Sequence, residues 1–225
     1  MTSEMEIALV RQNGCVLLPP YSHDRTCDIA SYLAGRPQYV GQVWERDSRP
    51  WDGGPVSCWS LADVLTAPRL LERALALTGL VEDYLAAPPL MYSANAFTTR
   101  PAASTMPNIQ ELHRDHDDVR FLALFVLLSD VPTPADGAQE LLSPSGDVVR
   151  FFGPAGTAWL ADTRHLHRGV MPASRPRTLA WVRWGVSDPP PSYVGAGVSP
   201  LPRSVLGDRY PATQRLRDSI KLLVR

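Results

Sequence analysis

The segment HRDHDDVRFLALFVLLSDV (113–131) decides how the chain is read. Its second part, FLALFVLL (121–128), is a continuous apolar run bounded by Asp130 and Pro132. A run this short suits a strand covered on both faces better than a buried helix. Its first part packs two histidines and three aspartates into six residues, immediately before that strand. Chemistry and core therefore meet at this point of the chain.

Working outward, LMYSANAFTT (90–99), AQELL (138–142), DVVRFF (147–152), GTAWLAD (156–162) and TLAWVRWGV (178–186) read as strands. Asp136-Gly137, Ser145-Gly146 and Gly153-Pro154 supply the turns between them. Closely spaced strands with Gly/Pro turns predict a sandwich or jelly roll. Upstream the pattern is different. Residues 4–13 and 23–34 read as helices, closed by Asn13-Gly14 and by Gly35-Arg36-Pro37, with a short strand at 15–19 between them. Residues 39–57 read as strand fragments and loops. Residues 60–86 show the strongest helical periodicity, which Pro68 splits in two and Pro88-Pro89 ends. The tail is proline-rich from Pro189 and closes on the amphipathic stretch ATQRLRDSIKLLVR, whose arginines read as a solvated helix face. The expectation is one domain over 1–225 of α+β, mainly β class: helical support over about 1–88, a jelly-roll core over about 89–186 and a tail over 187–225.

Bulk properties remove several function classes. The 225 residues are 44% hydrophobic and 20% charged, a globular composition. A formal net charge of −1 argues against nucleic acid as a partner, because phosphate binding needs a positive footprint. No stretch is long and apolar enough to span a bilayer, so no membrane partner is expected. Three cysteines (Cys15, Cys27 and Cys58) form no C-x-x-C pair and cannot all pair, which suits a reducing cytoplasm. The N-terminal residues read as neither signal nor anchor. Lys221 is the only lysine, so Schiff-base chemistry has a single candidate, in the tail.

Four of the five histidines fall in two clusters, His113 and His116 in LHRDHDD and His165 and His167 in DTRHLHRG. His23 stands alone in a loop. On a strand, positions i and i+2 share a face, so His113 and Asp115 would aim an imidazole and a carboxylate at one point. A second imidazole from a distant strand, such as His167, completes a 2-His-1-carboxylate set that leaves positions open on an octahedral iron(II). H-x-D also occurs by chance, and His116-Asp117-Asp118 fits it equally well. Spacing alone does not choose between the two.

The segment 113–131 resembles the phytanoyl-CoA dioxygenase family of iron(II)/2-oxoglutarate oxygenases. Further features carry the resemblance: Gly137 in DGAQELLSPSG with a loose match at Ser143-Pro144-Ser145-Gly146, then Asp162, His167-Arg168-Gly169, Arg177 in RPRTLAWVRW, and the opening ALVRQNGCVLLPPYS (8–22). The resemblance covers most of residues 5–186. It implies a double-stranded β-helix core with the N-terminal helices on one face. It also implies iron(II) held by His113, Asp115 and His167, the first H-x-D being followed by the strand at family distance. His165 is then a pocket wall or an alternative ligand. Arg177 maps to the residue that grips the distal carboxylate of 2-oxoglutarate, with Arg175 as competitor. A buried dianion needs such a charged partner on physical grounds alone. Gln110 maps near the cosubstrate, and Tyr92 and Thr98 are candidate pocket walls. The implied activity is oxidation by O2, typically hydroxylation of a small-molecule, acyl or amino-acid-type substrate with release of succinate and CO2. The carboxylate of Asp115 argues against halogenation, in which a small residue leaves room for chloride. Arg164 and Arg168 point to an anionic substrate. Trp44, Trp51, Trp59 and Tyr193 are candidate lid residues. The alternative is a cupin-like metal protein or isomerase without 2-oxoglutarate, which needs no deep arginine.

Overall fold

The computed structural model describes residues 2–40, 49–102, 110–190 and 200–224. Two antiparallel sheets carry the fold. The larger has eight strands in the order β1-β9-β6-β11-β5-β4-β2-β3, and the smaller has three in the order β10-β7-β8. In chain order these are β1 (Cys15–Leu18), β2 (Tyr39–Val40), β3 (Arg49–Pro50), β4 (Val56–Cys58), β5 (Leu90–Thr99), β6 (Phe121–Leu127), β7 (Gln139–Leu142), β8 (Val148–Phe151), β9 (Ala158–Ala161), β10 (His167–Gly169) and β11 (Arg177–Gly185). The chain is thus mostly β sheet with some helices. β1 and β2–β4 join the large sheet from the N-terminal part of the chain, so that part does more than supply helices.

Strand β6 lies inside the large sheet, between β9 and β11, and is covered on both faces, as its unbroken apolar run requires. Leu122, Leu124 and Val126 face one side; Ala123, Phe125 and Leu127 face the other. The first side is covered by α1 (Ser3–Asn13), α2 (His23–Ala34), α3 (Leu61–Thr66), α4 (Leu70–Ala76), α5 (Thr78–Leu85) and α6 (Gln214–Ile220), which contribute Val10, Ile29, Val64, Leu70, Val81 and Ile220 to one core. The second side meets the small sheet. There Phe125, Trp159 and Phe151 stack in a column, with ring centroids 5.3 and 4.7 Å apart.

Local chemistry explains most helix ends. Thr2 caps α1 by accepting from the Met5 amide, and Gly14 closes it at φ 77° with its N–H on the Val10 carbonyl. Ser60 caps α3 through the Asp63 amide. The stretch 60–86 breaks twice, not once. Pro68 forces the first break, after which Arg69 takes φ 63° to restart the chain. At the second, the Leu77 amide reaches back only three residues to Ala74, and Thr78-Gly79, poor helix formers, let the axis turn. In the tail, Arg215 projects toward solvent and pairs with Glu82, while Ile220, Leu223 and Val224 enter the core.

Candidate metal and anion site

His113, Asp115 and His167 converge, each offering one ligand atom, with all three atoms within 4.8 Å of one another. The backbone brings them together. His113 and His167 form an isolated antiparallel bridge, with N–H to O distances of 3.0 and 2.9 Å. The Asp115 amide then donates to the Thr163 carbonyl at 2.9 Å. The expectation that 113–115 forms a strand is corrected: only His113 pairs, and the convergence comes from this bridge and the loop that follows it.

Both imidazoles are held in one tautomer. Nδ1 of His113 lies 2.9 Å from the Glu111 carbonyl, and Nδ1 of His167 lies 3.0 Å from the His165 carbonyl. A carbonyl oxygen only accepts, so each Nδ1 carries the proton and each Nε2 presents its lone pair. Those Nε2 atoms lie 3.7 and 3.5 Å from the Asp115 carboxylate. Burial pushes the His167 imidazole toward its neutral form, against the pull of Asp115. Burial likewise raises Asp115, but the Arg183 guanidinium and then the imidazoles outweigh it and hold the carboxyl below its ordinary value. Two imidazoles, each fixed through its Nδ1, and one carboxylate form a donor set that fits a divalent first-row metal.

The turn carrying His167 is anchored from below. Asp162 accepts from Tyr84 Oη on α5 at 2.7 Å and from the Arg164 guanidinium, and its amide donates to the Gly14 carbonyl. His165 belongs to this anchor. It lies in a bend, and its ring packs so closely on Gly14 that a Cβ there would sit 2.7 Å from it. It therefore does not share a strand face with His167.

Arg177 opens β11 and is 2% exposed. Nη1 donates to the Gly137 carbonyl at 2.8 Å, Nη2 meets Thr99 Oγ1 at 3.3 Å, and Nε has no partner. None of the ion pairs among the described residues involves it. Burial pushes its pKa down to about 10, and no carboxylate opposes this. A buried charge without a counter-charge is costly, by several kcal/mol or so. Its place relative to the histidines follows from β10. A Cβ on Gly169 would point to the same face as the His167 side chain, two residues earlier, and would lie 3.1 Å from Nη2 of Arg177. The guanidinium thus shares a face with the His167 imidazole, about 7 Å along the strand.

Other sequence candidates divide. Asp118, in the second H-x-D, has its carboxylate filled by the amides of Val119, Val186 and Ser187 and by Ser187 Oγ, and His116 is exposed. That triplet is a structural tie. Arg175 is exposed. Thr98 pairs with Thr178 on the sheet face away from Arg177, and its neighbour Thr99 takes the place expected of it. Tyr92 reaches the site through Asp117, donating to Oδ2 at 2.9 Å. Gln110 is buried and its amide donates to Met171 Sδ. The hint of an anionic substrate in Arg164 and Arg168 is withdrawn, since Asp162 and Glu140 pair with them. Trp59 lies in the core and Trp51 stacks under Arg100, while Trp44 and Tyr193 fall outside the described residues. Sequence reasoning missed Arg183, Asp117, Thr99 and Gly169. A glycine inside a strand next to a site histidine signals close approach by another group, and that signal was available at Gly169.

No protein-family model and no curated protein matches the chain. Solved structures do. The non-heme alpha-ketoglutarate-dependent epimerase SnoN from nogalamycin biosynthesis aligns with a TM-score of 0.61 at 16% identity, over 81% of each chain. The non-heme alpha-ketoglutarate-dependent carbocyclase SnoK from the same biosynthesis aligns with a TM-score of 0.58 at 17% identity, over 82% of this chain and 85% of that one. HygX from Streptomyces hygroscopicus, solved with nickel and 2-oxoglutarate bound, aligns with a TM-score of 0.61 at 13% identity, over 84% and 89%. At these identities the likeness shows the fold alone: the chain shares the architecture of SnoN, SnoK and HygX.

Proposed function

We propose that the chain is a non-haem iron(II)/2-oxoglutarate-dependent dioxygenase on a single double-stranded β-helix domain of phytanoyl-CoA dioxygenase type, acting on a small molecule. His113, Asp115 and His167 would hold iron(II). Arg177 would bind the distal carboxylate of 2-oxoglutarate, with Thr99 beside it and Gln110 nearby. Iron(II), 2-oxoglutarate and O2 would together supply the oxidant, with succinate and CO2 as by-products. The chain's own residues do the rest. The Nδ1 bonds fix the imidazoles, and Arg177 supplies a preorganised countercharge for a dianion. Leu127, Leu179 and Phe97 pack in one apolar cluster, with the Phe97 ring beside Arg177, and would limit water around that guanidinium.

Arg177 is the observation that carries this reading. A cupin-like metal protein or isomerase that does not use 2-oxoglutarate has no need of a buried guanidinium without an ion-pair partner on the face of the metal cluster. SnoN has been solved with Fe3+, alpha-ketoglutarate and nogalamycin RO, and HygX with nickel, 2-oxoglutarate and hygromycin B, which supports a small-molecule substrate here. Hydroxylation is the proposed outcome. The epimerase and carbocyclase among the neighbours favour a second one, inversion of a stereocentre or ring closure without oxygen insertion. Calorimetry tests the common core: 2-oxoglutarate should bind in the presence of nickel(II), and succinate should form with iron(II) and O2. No nickel-dependent binding and no succinate would sink the proposal. Product mass then separates oxygen insertion from the alternatives.

A further inference from the structure

We infer that Arg183 is a positioning residue for the metal cluster, orienting the Asp115 carboxylate through a brace completed by Asp117 and Tyr92. This rests on the metal reading above. Arg183 lies on the inner face of β11, opposite Ala123 and Ser93, whose small side chains leave room for it. Nη2 donates to Asp115 Oδ2 at 2.6 Å and Nη1 to Asp117 Oδ2 at 2.5 Å. Its guanidinium lies over the Trp181 ring, 4.4 Å from the centroid, and its side chain is 15% exposed. Tyr92 Oη fixes the far carboxylate at 2.9 Å.

Three consequences follow from this arrangement. A carboxylate otherwise rotates about its Cβ–Cγ bond; a guanidinium on one oxygen, stacked on an indole, stops that rotation. The Asp115 carboxylate then faces both imidazole Nε2 atoms in one orientation. Second, Arg183 brings a positive charge beside a site meant for a cation, which by itself opposes metal binding. Asp117 offsets it, so that Asp115 does not have to neutralise both the arginine and the metal. Third, the spacing has a reason: Asp115 and Asp117 are two residues apart and reach two nitrogens of one planar fork, which lysine cannot imitate.

The test uses the full chain and cobalt(II) alone, with affinity from calorimetry, coordination from the visible d–d spectrum and fold from thermal denaturation. Arg183→Met is expected to bind cobalt roughly 10–100-fold more weakly and to alter the spectrum. Asp117→Asn, which leaves the arginine charge uncompensated, should weaken binding in the same direction. Tyr92→Phe should do so by a smaller factor. Arg183→Lys keeps the charge but cannot bridge both carboxylates, so it should not restore the wild-type spectrum. Wild-type affinity and spectrum in Arg183→Met overturn the inference. Should Arg183→Met not fold, the same result in Asp117→Asn and Tyr92→Phe overturns it. A wild-type chain that takes up no cobalt overturns the metal reading and this inference together, whereas normal wild-type uptake with indifferent variants overturns this inference alone.

Discussion

Gly169 and the guanidinium of Arg177 compete for one space: a methyl group at 169 would lie 3.1 Å from Nη2 and 3.2 Å from Nη1. That contact links the strand carrying His167 to the arginine proposed to hold the cosubstrate. Gly169→Ala should push the guanidinium aside without touching the metal ligands. Losing a charge-assisted bond of ~1.5–3 kcal/mol weakens 2-oxoglutarate binding roughly 10–100-fold. Nickel affinity should stay at the wild-type value. Calorimetry with each ligand separates the two, and a parallel loss of both would refute the assignment of Arg177.

The two H-x-D triplets make a paired comparison. His113→Ala should abolish stoichiometric nickel binding and succinate formation. His116→Ala should leave both at wild-type level, because His116 is exposed and outside the cluster. Metal content after dialysis reads the result directly, and the reverse pattern would transfer the site to the second triplet.

Asp118 is expected to contribute to acid stability. Its carboxyl is desolvated, yet hydrogen bonds from Ser187, Val119 and Val186 outweigh burial and hold its pKa below the ordinary 3.8. A carboxyl depressed in the folded state stabilises the fold fully above its unfolded pKa. That contribution is lost as pH falls below 3.8 and through the lower folded value. Asp118→Asn should therefore cost ~1–3 kcal/mol at neutral pH. It should also flatten the stability-versus-pH curve on the acid side, as read by urea denaturation between neutral pH and pH ~3. An unchanged acid limb would show that other carboxylates dominate it.

Gly14 has two constraints, a positive φ of 77° and the His165 ring where a Cβ would sit. Gly14→Ala strains both the α1 cap and the turn leading to His167. A loss of ~1–3 kcal/mol is expected. Metal affinity should fall as well, since the bend that carries His165 leads directly into His167. A melting temperature equal to wild type would show that His165 can simply turn away.

Much of this was legible in the sequence, for physical reasons. The run at 121–128 could only be satisfied between two apolar layers, and β6 lies between them. The ends of α2 and β5 match the punctuation of the chain. Two histidine clusters beside strands pointed to residues that the fold brings together. What was not legible depended on register and tertiary contact. Nothing local says that Thr99, not Thr98, faces Arg177, because that depends on the register in which β5 pairs with β11. Arg183 looked like one more arginine in an arginine-rich chain until the pairing of β11 turned it inward. Asp118 satisfied a metal-ligand spacing, but its oxygens were already taken by backbone amides from the far end of β11.

Counted together, the formal charges of Asp115 and Asp117 against Arg183 and Arg177 sum to zero between the two sheets, although only Arg183 is ion-paired and Arg177 keeps its charge unanswered. A dication entering alone, or a dianion entering alone, would leave two charges unanswered where water is scarce, whereas the pair restores neutrality. Each should therefore tighten the other's hold, by the same factor in either order of addition. A balance of this kind makes each guest a fastening for the other, over and above the hold that it has alone.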